Sequence, residues 1–137
     1  MLYHLSKVPN LTRLDPKIPS NALKEFEDTI TERVCFSDNI YGCLSALQDI
    51  PSKYYVYIPN EKLKKKDVYK PTVDDVLDCK LTHEIWVKRS LKVRCVGIIQ
   101  SENHEYPITE VIDENRSATY FHYPYKWIEK YEEWNGE

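Results

Sequence analysis

Arg33–Leu47 reads RVCFSDNIYGCLSAL, a strand pattern that passes directly into a helix pattern. Arg33–Ser37 is rich in β-branched and aromatic residues, as a short buried strand requires. An oxygen on Ser37 or Asp38 is placed to accept a backbone N–H of the turn that follows. Ile40, Cys43, Leu44 and Leu47 recur at helical spacing and give that helix one apolar face. A strand ending in serine beside a helix start forms a corner that can hold a ligand, or a plain structural corner. Both readings stay open at this point.

Composition bounds what surrounds this block. A chain of 137 residues with 42% hydrophobic and 30% charged side chains suits one globular domain, 1–137, rather than a disordered segment. Its net charge of −3 argues against a protein that grips duplex nucleic acid through phosphates. Eleven tyrosines favour strands and stacking surfaces over a helical bundle. Cys35, Cys43, Cys79 and Cys95 have no metal-finger spacing, so reduced, buried thiols are expected. With no signal-like start and no apolar run of membrane length, the chain reads as soluble and cytoplasmic.

Outward from the centre, Leu2–Ser6 alternates as a strand. The following Lys7–Asn21 holds Pro9, Pro16 and Pro19 and is expected to cross the surface as a loop. Asn21 is placed to cap a short helix, Ala22–Glu27. Lys53–Ile58, KYYVYI, is apolar or aromatic on both faces and reads as a strand covered on both sides. The lysines at 62 and 64–66 read as a solvated loop, with a phosphate-contacting patch as the alternative. Thr72 and Asp75 have the spacing of a capping box over Pro71–Val76.

Leu81–Val87, LTHEIWV, alternates so that Thr82, Glu84 and Trp86 share one face, with Leu81, His83, Ile85 and Val87 on the other. A carboxylate between threonine and tryptophan on a strand implies that this face borders water or a cleft. Leu91–Ile99 alternates again, as the second arm of a hairpin or the far half of a kinked strand. Tyr106–Asp113 offers a further strand. After Pro124, Trp127, Ile128, Tyr131 and Trp134 follow helical spacing and predict a C-terminal helix. The fold class expected is α+β: a split, antiparallel-rich sheet with a few flanking helices.

Several chemistries are excluded by the residues. Glycines at 42, 97 and 136 alone cannot build a phosphate loop, and neither a GxSxG elbow nor an HExxH helix occurs. The four histidines are scattered, so spacing defines no metal site.

His4 on the first strand, Ser37 ending the second and Glu84 on a later strand remain. Their order resembles the ADP-ribosyltransferase superfamily over roughly residues 2–99. Tyr3-His4-Leu5-Ser6 looks like the opening strand in the His-x-Ser/Thr form of the DNA-modifying toxin branch. Val34–Asp38 followed by Gly42–Leu47 is similar to the strand-then-helix block of the poly(ADP-ribose) polymerases. The resemblance implies NAD, as substrate or ligand. It implies that His4, catalytic together with Glu84, bonds the ribose next to nicotinamide while its backbone neighbours hold the carboxamide, that Tyr41 or Phe36 stacks on the nicotinamide ring, and that Ser6 and Ser37 belong to the cofactor-binding set. Glu84 would bond a ribose hydroxyl and stabilise the cation that develops as nicotinamide leaves, as electrostatic catalysis requires. Arg33 would contact a phosphate, as a strand-preceding arginine does in the RNA 2′-phosphotransferase branch, or remain a surface residue. Leu5 stands where the family usually has glycine. Thr82, neither Glu nor Gln, fits the arginine-modifying and Rho-modifying subclasses poorly.

Three classes are therefore open. The chain is an enzyme that cleaves NAD and transfers or hydrolyses ADP-ribose, or an inert relative that sequesters an NAD-derived nucleotide. The third class is a module that binds and inhibits a protein target, as a small phage or mobile-element accessory protein would.

Overall fold

A computed structural model describes residues 1–18, 30–47, 49–72, 74–75, 82–103 and 106–131. The expected helix Ala22–Glu27 with its cap Asn21, and also Cys79 and Trp134, lie outside the described residues.

Ten strands and one α-helix appear among the described residues, in the order β1 (His4–Ser6), β2 (Arg13–Leu14), β3 (Val34–Ser37), α1 (Ile40–Ser45), β4 (Lys53–Pro59), β5 (Val68–Tyr69), β6 (Glu84–Val87), β7 (Leu91–Ser101), β8 (Tyr106–Val111), β9 (Ser117–His122) and β10 (Tyr125–Lys130). All strand pairs are antiparallel. One sheet runs β1-β4-β7-β10, with β2 also on β7, and a second runs β3-β6-β5. β8 and β9 form a separate hairpin. The mixed, sheet-rich character expected from the sequence is present, but α1 is the single α-helix among the described residues rather than one of several.

The two larger sheets meet at one isolated bridge, Tyr3 to Ser37. There β1 touches β3 and then diverges to pair with β4, His4 opposite Tyr57 and Leu5 opposite Val56. Strand alternation sorts the core into two layers. Leu5, Val56, Ile58 and Val96 pack with Ile40 and Leu44 of α1. From the other face of β4, Tyr57 packs with Val34, Phe36, Val87 and Val93 between the sheets. Thus β4 is covered on both sides, as its unbroken apolar pattern predicts. The Tyr57 hydroxyl also donates to Val8 O (2.6 Å) and accepts from Leu11 N (3.3 Å), tying down the proline-bearing loop. Between Pro9 and Pro16 that loop supplies the short β2, because Arg13 and Leu14 pair with the open edge of β7.

Three local expectations change. Asn39, not Ser37 or Asp38, caps α1, its Oδ1 accepting from Gly42 N at 2.6 Å. β6 and β7 are not a hairpin, since β6 pairs with β3 and β5 while β7 pairs in the other sheet. The expected C-terminal helix is strand β10, paired to β7 with a register shift between Trp127 and Glu129. Helical spacing of Trp127, Ile128 and Tyr131 is outweighed by the unpaired backbone edge of the eleven-residue β7. Gly97 allows this approach: a Cβ there would meet Glu129 O at 2.4 Å and the Trp127 ring at 2.7 Å.

Half of the predicted capping box forms: Thr72 N donates to Asp75 Oδ2 at 2.9 Å, while Asp75 N donates to the Thr72 backbone carbonyl at 3.0 Å rather than to its hydroxyl. The lysine-rich loop holds a 3-10 turn, Lys65–Asp67, and is anchored by Arg89 between Glu61 (2.8 Å) and Asp67 (3.1 Å).

Candidate functional site

Register builds the site. β3 and β6 pair so that Ser37 lies opposite Glu84 and Cys35 opposite Trp86. On the other edge of Ser37, Tyr3 N donates to Ser37 O (2.8 Å) and Ser37 N to Tyr3 O (3.0 Å). Directly opposed residues in adjacent strands point to the same face, about 5 Å apart. Tyr3, Ser37 and Glu84 therefore form one cross-strand row.

His4 sits where β1 leaves β3. Its Nδ1 lies 2.8 Å from Cys35 O, and its ring meets Phe36 edge-on at 5.8 Å between centroids. Burial lowers its pKa, against a smaller opposing effect of that backbone hydrogen bond. In the neutral tautomer that donates from Nδ1, Nε2 is left as an acceptor.

Glu84 is half-buried and reaches the other side of Cys35, beside the thiol. Burial first, and then the Glu84 carboxylate, push the Cys35 thiol far above its ordinary pKa. Cys35 and Phe36 project to opposite faces of β3 by strand alternation. Hence Glu84 contacts one face of β3, while the ring contact of His4 is with a side chain of the other. The two come to the same strand from different sides.

The remaining candidates divide sharply. Ser37 is buried, its hydroxyl donating to Thr82 O at 2.6 Å and accepting from Asn39 N at 3.3 Å. It holds the corner together. Phe36 is 2% exposed and belongs to the core between the sheets, which removes it as a ring-stacking surface. Arg33 is 1% exposed, so the surface reading fails; its guanidinium lies over the Trp86 ring at 4.1 Å and donates to Thr31 O at 2.9 Å. Ser6 accepts from Val8 N at 3.1 Å at the end of β1. Tyr41 is 40% exposed at the start of α1, with its ring 4.0 Å from His122 and 5.0 Å from Tyr125. It is the candidate aromatic that a ligand can reach.

Two contributions escaped the sequence reading. Gly42 lets α1 close onto the corner, because a Cβ there would lie 2.0 Å from Thr82 O and 2.5 Å from Ser37 Oγ. His83 adopts φ 56° immediately before Glu84, and its Nδ1 lies 3.1 Å from Asp38 Oδ1. A bulky residue in the left-handed region beside a suspected glutamate is a signal, but only coordinates carry it.

Chemically the region offers one partly exposed carboxylate and a reachable aromatic ring, beside an imidazole whose pKa burial lowers. Among the described residues no group of three or more His, Cys, Asp and Glu is arranged to hold a metal ion, and no helix is long and apolar enough to cross a membrane. Comparison of the chain with protein-family models, curated proteins and solved structures finds no match.

Proposed function

We propose that this chain is an ADP-ribosyltransferase-like protein that binds NAD, or a nucleotide derived from it, against the Tyr3–Ser37–Glu84 row. The observation that carries the reading is the in-register pairing of Ser37 with Glu84 and the bridge from Ser37 to Tyr3. Three segments far apart in sequence thereby meet in one row, with Tyr3 rather than His4 beside Ser37 and Glu84. In this reading Tyr41 stacks on the nicotinamide ring, while His4, on the other side of β3, stays a buried imidazole that supports the strand. Glu84 stabilises positive charge at ribose C1 as the C–N bond breaks and its electron pair leaves with nicotinamide.

Calorimetry with NAD and ADP-ribose, followed by a nicotinamide-release assay, tests it. Glu84→Gln should slow release by about 10²–10³-fold, the usual scale for one electrostatic group, with binding nearly unchanged because the amide retains size and one hydrogen bond. Binding without release in the native protein would reduce the reading to an inert nucleotide binder. Neither binding nor release would overturn it. A second reading, a protein-interaction module, draws on the exposed apolar side chains Tyr106, Ile108, Val111 and Phe121 of the β8–β9 hairpin. It requires a protein partner and no response to NAD.

A further inference from the structure

We propose that His83, oriented by Asp38, is a general base that takes the proton from the attacking nucleophile; this rests on the NAD reading above. Asp38 follows Ser37 and His83 precedes Glu84, so the dyad continues the paired ends of β3 and β6 that carry the proposed site. His83 Nδ1 lies 3.1 Å from Asp38 Oδ1 and 3.3 Å from Oδ2. A carboxylate on Nδ1 fixes the tautomer with its proton there, leaving Nε2 basic and able to accept a second.

Stability does not account for the arrangement. The left-handed backbone costs a residue with a Cβ about 1–2 kcal/mol. The two side chains are 52% and 50% exposed, and an ion pair so open to water contributes only about 0–1 kcal/mol. The conformation is instead imposed by its neighbours. The carbonyl of Thr82 is held at 2.6 Å by Ser37 Oγ and packed so closely on Gly42 that a Cβ there would lie 2.0 Å from it. A clamped residue 82 and a paired residue 84 leave residue 83 to turn outward, in reach of an incoming molecule and of Asp38.

The step balances without a co-reactant. The ribose C1–nitrogen bond breaks and its electron pair departs with nicotinamide. A lone pair of the nucleophile, water or a hydroxyl group, forms the new bond to C1. The nucleophile's proton passes to His83 Nε2, the imidazolium is stabilised by Asp38, and the proton then returns to solvent. Asp38 acts through His83 and is a positioning residue.

The test uses the full chain with NAD, with water as nucleophile. His83→Gly relieves the backbone conformation and removes the base, so folding is preserved. ADP-ribose formation should fall about 10²-fold, the lower end for a general base because the dyad is open to water. NAD affinity, read by calorimetry, should change less than about twofold. Added imidazole should restore His83→Gly by about tenfold or more and leave Glu84→Gln unrestored. Asp38→Asn should slow turnover alone but add nothing to His83→Gly in the double variant, a non-additivity that a merely structural role would not produce. Native protein that cleaves NAD, with His83→Gly equally active or inactive without imidazole rescue, overturns this inference alone. Native protein that binds NAD without cleaving it overturns this inference and leaves the binding reading, whereas native protein that neither binds nor cleaves NAD overturns both.

Discussion

Replacing Gly42 by alanine tests the corner on which the candidate site is built. The added Cβ would stand 2.0 Å from Thr82 O, 2.5 Å from Ser37 Oγ and 2.9 Å from Thr82 C. Two of these atoms are backbone, at a position held by β6, so they cannot swing aside as a flexible side chain would. Overpacking of this kind costs about 1–3 kcal/mol. Pushing Ser37 Oγ away from Thr82 O breaks a buried 2.6 Å hydrogen bond, at about 1–3 kcal/mol for the groups left unpaired. Alanine returns about 1 kcal/mol through its better helix propensity. The net expectation is a loss of about 1–5 kcal/mol, or about 4–20 °C in Tm for a chain of this size. Thermal melts followed by circular dichroism, with urea titrations alongside, measure it. A fall below about 3 °C would refute the claim that α1 is locked against Thr82 and Ser37.

Two further outcomes follow from titratable groups. Burial lowers the pKa of His4 below its ordinary 6.5, so the unfolded chain binds the extra proton first as pH falls. Stability is fully present above about pH 6.5 and is lost as pH drops towards the lowered folded value; His4→Asn, which keeps an amide N–H for Cys35 O, should flatten that part of a Tm–pH curve, and an unchanged slope would count against a buried neutral imidazole. Burial pushes the Cys43 thiol up to about 12, and Cys35 is raised further, so native protein at pH 8 should leave both unalkylated by iodoacetamide. Mass spectrometry after denaturation should find all four cysteines reactive, whereas rapid native labelling of either buried thiol would contradict the packing around Ser37.

Local pattern alone determined the central block. β-Branched and aromatic residues in Arg33–Ser37, an apolar run on both faces of Lys53–Ile58, and period-two alternation in Leu81–Val87 and Leu91–Ile99 mark strands β3, β4, β6 and β7, because a wholly or half-buried pleated strand leaves such a trace in a local window. The same alternation assigned Trp86 and Glu84 to one face of their strand. What tertiary structure decided is what depends on distant partners. The aromatic segment after Pro124 satisfies a helical stripe, yet the free edge of β7 and the space over Gly97 draw it into a sheet. Phe36 and Tyr41 look interchangeable as ring-stacking residues in sequence; only packing between the sheets buries one and leaves the other 40% exposed. Arg33 is charged and begins a strand, but the neighbouring β6 supplies Trp86, over which its guanidinium lies buried. His83 and Asp38 stand 45 positions apart and meet because β3 and β6 pair. Hydrophobic period is a property of the chain itself, whereas register, edge pairing and a left-handed turn are set by contacts between segments that no local window contains.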